Sequence, residues 1–106
     1  MVKNFVIIMV TCVSRKEALD VSKRLLAKRL VACANIMPGV QSKFWWKGKL
    51  DSAREVLVMM KTVKANFKKI EIEIKRVHSY EVPQIIAVPI VAGSRDYLDW
   101  INRTVV

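Results

Sequence analysis

At 106 residues, the chain has the length of a single domain, residues 1-106, large enough to bury one core and too small to hide all of its apolar surface. Apolar residues make up 53% and charged residues 26%, a balance that excludes a disordered chain, and the apolar runs are far too short for membrane insertion. The formal net charge of +10 favours polyanions without specifying one.

Two cysteines, Cys12 and Cys33, make no disulfide framework. The opening Met1-Val2-Lys3-Asn4 leads straight into a short apolar run with no secretory h-region. A cytoplasmic protein with free thiols is therefore expected.

Phe5 to Cys12 (FVIIMVTC) is an unbroken β-branched and aliphatic run, the pattern of a central strand covered on both faces. Ser14 to Glu17 fits a capping box, hydroxyl and carboxylate each satisfying a free amide at a helix start. The following turns place Ala18, Val21, Ser22, Leu25 and Leu26 on one helical face and Lys16, Asp20, Lys23, Arg24 and Lys28 on the other, which predicts a helix packed on the sheet.

Val31 to Thr62 reads as two long strands folded back at Lys47 and Gly48. Fully extended, Val31 to Trp46 would run about 50 Å, against about 35 Å for a compact domain of this length, so the hairpin tip should project. Pro38-Gly39 removes a ladder donor and permits a bulge, marking strand two as an edge strand. Phe44, Trp45 and Trp46 sit at the tip. Adjacent strand residues face opposite sides, so one core cannot bury both tryptophans, and these three residues are expected to contact a second chain.

Val56 to Met60 returns as an apolar strand suited to the sheet centre. Thr62 is placed to cap a second helix in which Val63, Phe67, Ile70, Ile74 and Val77 recur at helical spacing, leaving Ile72 off the buried stripe. His78 to Pro83 reads as a loop and Gln84 to Ile90 as the last strand. Ser94 is then placed to cap a short helix that packs Tyr97, Leu98 and Ile101. The expected fold is α+β, a ferredoxin-like βαββαβ sandwich with an extended central hairpin, a C-terminal helix and both long helices on one face of an antiparallel sheet.

The residues argue against an enzyme. One histidine supplies no triad, three glycines supply no phosphate loop, and no zinc spacing exists. The Cys-x-x-Cys of a copper chaperone is replaced by Cys12-Val13-Ser14-Arg15, and Val56 to Met60 lacks the glycine-aromatic signature of an RNA-recognition strand. His78 is a candidate metal ligand, with Glu81 three residues on as a hard oxygen donor and Cys33 as a further candidate. With so few strong ligands, binding should be weak. Cys12 ends strand one and Cys33 begins strand two, and because strands joined by a crossover run parallel, the two thiols should lie at opposite ends of the sheet. Lys61, Tyr80 and Asn35 are candidates for lining a cleft that takes an anionic ligand.

Several motifs are spread along the chain: Arg29 to Ile36 (RLVACANI) followed by Pro38-Gly39, Trp46-Lys47-Gly48-Lys49, Lys61-Thr62, His78-Ser79-Tyr80-Glu81-Val82-Pro83, and Asp96-Tyr97-Leu98 with Trp100. In these the chain resembles the CutA family, named for divalent-cation tolerance, over essentially its whole length. The resemblance implies a ferredoxin-like homotrimer whose hairpins wrap neighbouring subunits, a cytoplasmic setting, no required cofactor, and a link to Cu(II) or another divalent cation. It also implies a likeness to the trimeric PII signalling proteins. Ser79 departs from the family's usual proline, and Val10 and Val77 stand where some members place an extra cysteine and histidine. The alternative is a basic nucleic-acid-binding module of the same fold, whose phosphate attraction would be salt-sensitive and show no specific nucleic acid sequence preference.

Overall fold

The structure, a computed structural model, describes residues 4–106; the reading of Met1 to Lys3 as lacking a secretory segment lies outside the described residues. In chain order come β1 (Phe5–Cys12), α1 (Arg15–Ala27), β2 (Cys33–Trp46), β3 (Lys49–Val63), α2 (Phe67–Val77), β4 (Ile85–Pro89) and α3 (Arg95–Thr104). The four strands form one antiparallel sheet in the order β2-β3-β1-β4, the βαββαβ arrangement plus terminal helix expected from the sequence. The apolar strands β1 and β3 take the centre and the Pro38-containing β2 an edge.

The period-two alternation of strands sorts the sheet into two faces. Val6, Ile8, Val10 and Cys12 of β1, with Val56, Val58 and Met60 of β3, point to one side and are buried against Ala18, Val21 and Leu25 of α1 and Ile70 and Ile74 of α2. This is the core, and both long helices cover it. Of the alternate residues of β1, which face the other way, Phe5, Ile7 and Met9 are only half-covered.

Within α1, Ser14 Oγ accepts from the Glu17 amide at 3.1 Å, as a capping box requires. The Glu17 carboxylate, however, accepts from Val13 N–H at 3.0 Å and from Ser79 N–H at 2.9 Å, so the cap also anchors the loop after α2. Leu26, expected on the buried face, is exposed beside the edge strand, because the sheet ends at β2 and offers nothing to cover that flank of the helix.

The hairpin projects as expected and draws the molecule out to 46 × 26 × 23 Å. Lys47 and Gly48 both have positive φ, 50° and 78°, the two-residue turn that matches strand twist. Gly39, at φ 78°, lies in the bulge where the register shifts between Met37 and Val40. Trp45 pairs with Leu50 and Trp46 with Lys49 on opposite sides of the ribbon.

Two expectations at the end of the hairpin are corrected. β3 runs on to Val63, paired with Phe5, and α2 begins only at Phe67 after a single 3-10 turn over Lys64–Asn66. Thr62 therefore does not cap a helix. It is fully buried in the strand and its hydroxyl donates to Leu30 O at 2.6 Å, satisfying a carbonyl in the α1–β2 turn that the core would otherwise strand. Asn66 adds a second donor to the same oxygen at 3.1 Å. Val77, expected on the buried stripe of α2, is exposed at its last turn, where the helix runs past the core.

α2 is tied to α1 by Glu73, which the sequence did not mark. Its carboxylate is buried and meets Arg24 at 2.6 Å, Lys28 at 2.8 Å and Arg76 at 2.9 Å. Hydrogen bonds from Lys28 and Arg24 hold it at about 2 against the opposing effect of burial.

Candidate functional site

A convergence of potential metal-ligating side chains lies where β1 ends, α1 begins and α2 gives way to its loop. Cys12 Sγ, a Glu17 carboxylate oxygen and a His78 ring nitrogen all lie within 4.8 Å of one another. Cys12 is brought there as the last residue of β1, Glu17 by its capping role in the first turn of α1, and His78 as the residue that closes α2. His78 Nε2 lies 3.7 Å from Glu17 Oε1.

Both imidazole nitrogens are engaged. Tyr80 N–H donates to Nδ1 at 3.1 Å, so Nδ1 is the acceptor, and the proton of the neutral ring is assigned to Nε2, which donates to Thr11 O at 2.8 Å. The ring thereby pins the 78–80 turn to the end of β1. Ser79 shares in this through its backbone N–H, which donates a hydrogen bond to the Glu17 carboxylate, an anchor that a proline at this position would have no N–H to make.

Electrostatics make this a reluctant donor set. Burial pushes the Cys12 thiol up to about 12, with the Glu17 and Glu55 carboxylates adding to the shift. Burial also works to raise the Glu17 carboxyl, but hydrogen bonds from Ser79 and Val13 and the nearby His78 outweigh it and hold the group below its ordinary range. The Tyr80 ring packs tilted against His78, with 4.9 Å between centroids. Its hydroxyl donates to Glu55 at 2.8 Å, and burial followed by that bond raises its pKa.

The other candidates from the sequence are distributed as follows. Glu81 is exposed on the loop beyond Tyr80. Cys33 pairs in register with Lys61, which pairs with Ile7, whereas Cys12 pairs with Val56; the two thiols stand at opposite ends of the sheet, and within one chain Cys33 does not approach His78. Its sulfur instead lies 3.5 Å from Tyr97 Oη. That hydrogen bond, with some burial, lifts the Tyr97 phenol to about 12. Lys61 donates to the Asn35 side chain, so Lys61, Asn35, Cys33 and Tyr97 share one end of the sheet while Tyr80 belongs to the His78 end. Cys12 and Glu17 were missed as partners of His78. The readable signal was the capping box itself, which fixes Glu17 within a turn of the strand end that Cys12 occupies.

The face of the sheet away from α1 and α2 is apolar and open. Val88 and Ile86 of β4 stand opposite Ile7 and Met9 of β1, and Met37 of β2 opposite Leu57 of β3. Ile86, Val88 and Met37 are 46%, 39% and 39% exposed. At the hairpin tip Trp45 is 73% exposed and Trp46 38%. Exposed large apolar side chains in this number are characteristic of an interaction face.

Comparison with known proteins agrees with this architecture. A family model described as CutA1 divalent ion tolerance protein matches residues 6–104. The divalent-cation tolerance protein CutA of Archaeoglobus fulgidus is 45% identical over 102 residues, covering 96% of this chain and 97% of that one. The corresponding protein of Thermus thermophilus is 39% identical over 92% of this chain and 94% of its own. Among solved structures, the divalent cation tolerance protein from Thermus thermophilus superposes with a TM-score of 0.93 at 37% identity, covering 95% of this chain and 98% of that one. The periplasmic divalent cation tolerance protein CutA from Archaeoglobus fulgidus gives 0.91 at 43% identity, covering 94% and 97%.

Proposed function

Because the chain belongs to the CutA1 divalent ion tolerance family, a membership that supports a role in divalent-cation tolerance, we propose that it works there as a cytoplasmic, non-enzymatic homotrimer that takes up Cu(II) weakly at the His78 end of the sheet. The observation that carries the metal reading is the convergence of Cys12, Glu17 and His78 within 4.8 Å. Thiolate, imidazole and carboxylate together suit a borderline divalent ion, with Glu81 on the adjoining loop as a further oxygen. The ion is cargo, not a resident cofactor.

Weak binding follows from what the site must give up. His78 Nε2 would have to surrender its proton and its bond to Thr11 O, and Cys12 a proton held to about 12 by burial and two carboxylates. Metal competes with protons for both groups. A trimer is supported by the open apolar sheet face and by the exposed tryptophans of the hairpin. The two free cysteines, too far apart to bridge, support a reducing compartment, in contrast to the Archaeoglobus relative described as periplasmic.

Calorimetry with Cu(II) at neutral pH tests the site, with light scattering to verify assembly. His78→Ala and Cys12→Ser are each expected to weaken binding at least about tenfold, the usual scale for losing a group at a metal centre, while Cys33→Ser leaves it unchanged. Undiminished binding in a trimeric His78→Ala protein removes the assignment.

A further inference from the structure

The outward side of α2 carries one large apolar residue, Ile72, which points away from the buried Ile70 and Ile74 and is 46% exposed. On a helix, positions three and four residues away are its surface neighbours, and here all four are basic: Lys68, Lys69, Lys75 and Arg76. Beside it lies an open cleft of about 300 Å³ lined by Lys69, Leu30, Ile72 and Val106, with Lys28 and the Glu73 carboxylate it is paired with on its wall. Residues 15–29 and 64–76, the segments of α1 and α2, hold eleven Lys and Arg against four Asp and Glu, so this layer supplies seven of the chain's ten net positive charges. Among the described residues two carboxylates serve the cations of this layer from α2: Glu71 is shared by Lys68 and Lys75, and Glu73 by Arg24, Lys28 and Arg76. A large excess of positive charge remains on the surface.

We propose that the outer face of α1 and α2 docks on an anionic lipid surface, with Ile72 entering the boundary between headgroups and acyl chains while Lys69 and the exposed lysines around it meet headgroup phosphates or carboxylates. Cations alone would suit any polyanion. An aliphatic side chain at the centre of a cationic ring gains nothing against a sugar-phosphate backbone, whereas it gains burial at the interfacial layer of a bilayer. Neither helix presents an aromatic ring on which a base would stack; their one aromatic residue, Phe67, packs against the core. The docking face lies across the sheet from the open apolar face, so assembly of copies through that face leaves it free, and a trimer would present it more than once.

Co-sedimentation of the full chain with vesicles tests this, using phosphatidylcholine alone and phosphatidylcholine carrying about a third phosphatidylserine, at about 0.15 M salt. Partitioning to the anionic vesicles should exceed that to neutral ones at least about tenfold, since each surface cation contributes several-fold. The pair Lys64→Glu and Lys69→Glu, both exposed, should reduce the excess by about tenfold or more, and Ile72→Ser should reduce it several-fold, with circular dichroism confirming that each variant is folded. Equal partitioning to both vesicles, or an Ile72→Ser variant that binds as the parent does, overturns the proposal. So does duplex DNA binding at the same salt that exceeds vesicle binding, is lost in the charge-reversed pair and is untouched by Ile72→Ser.

Discussion

The two faces of the sheet are built from the same kinds of residue and have opposite fates. Towards α1 and α2, Ile8, Val10, Val58 and Met60 are fully buried. On the reverse, the next residues along the same strands, Met9 and Met59, are only half-covered and lead out to an exposed Ile86 and Met37. Composition therefore does not distinguish a core face from an association face. Both exclude water; one does so within the chain, and the other needs a second surface. The unbroken apolar run of β1 encodes a strand covered on both sides, and a single chain supplies only one cover.

Neighbouring substitutions break this comparison most severely. Val58→Asp places an unpaired charge among Ile8, Val10 and the helices and should cost more than about 4 kcal/mol, a large share of a domain's stability, so that the chain fails to fold. Met59→Asp, one residue on, should leave a folded chain that scatters light as a monomer. A Met59→Asp protein that still assembles, or one that unfolds as Val58→Asp does, would show that the open face is not the interface.

At the hairpin tip the effect is expected to be smaller and to depend on concentration. If Trp46 is covered only by a second copy, Trp46→Ala should weaken association by about 3–5 kcal/mol, the scale for truncating a large buried aromatic. Its melting temperature should then fall with dilution, which the parent's does far less. A loss that is the same at every concentration would place the role of Trp46 inside the single chain.

The smallest effect sharpens the covered face alone. The Glu73 carboxyl sits at about 2 in the folded chain, below the roughly 4.3 of an unfolded glutamate. The unfolded state thus binds the proton first as pH falls, and the stabilisation by Lys28 and Arg24 is present above about pH 4.3 and is lost progressively towards pH 2. Thermal melts across that window should show the parent losing stability more steeply than Glu73→Gln. Parallel slopes would mean that Lys28 and Arg24 do not hold the group as the geometry indicates.

Much of this was legible in the residues. Alternation and apolar runs located the strands, Lys47-Gly48 the turn, Pro38-Gly39 the bulged edge, and Ser14 with Glu17 the start of α1, because each of these signals acts over a few neighbouring positions. The failures came where a distant partner overrode a local preference. Thr62 looked like a helix cap, yet pairing with Val6 kept it in the strand and turned its hydroxyl to Leu30. His78 was singled out for its chemistry, while its companions Cys12 and Glu17 lie far back in the chain, as the 62-residue separation of the Glu17–Ser79 bond illustrates.

The sequence by itself determined the order of elements, the central place of β1 and β3, the projecting hairpin and the separation of the two thiols, since period, turn chemistry and crossover direction are properties of the chain alone. Only the tertiary structure decided which acid joins His78, that both imidazole nitrogens are already engaged, that Glu73 gathers three cations, and which sheet face is left open. Those outcomes depend on which helix flank meets which strand end, and pattern along a chain carries no record of that distance.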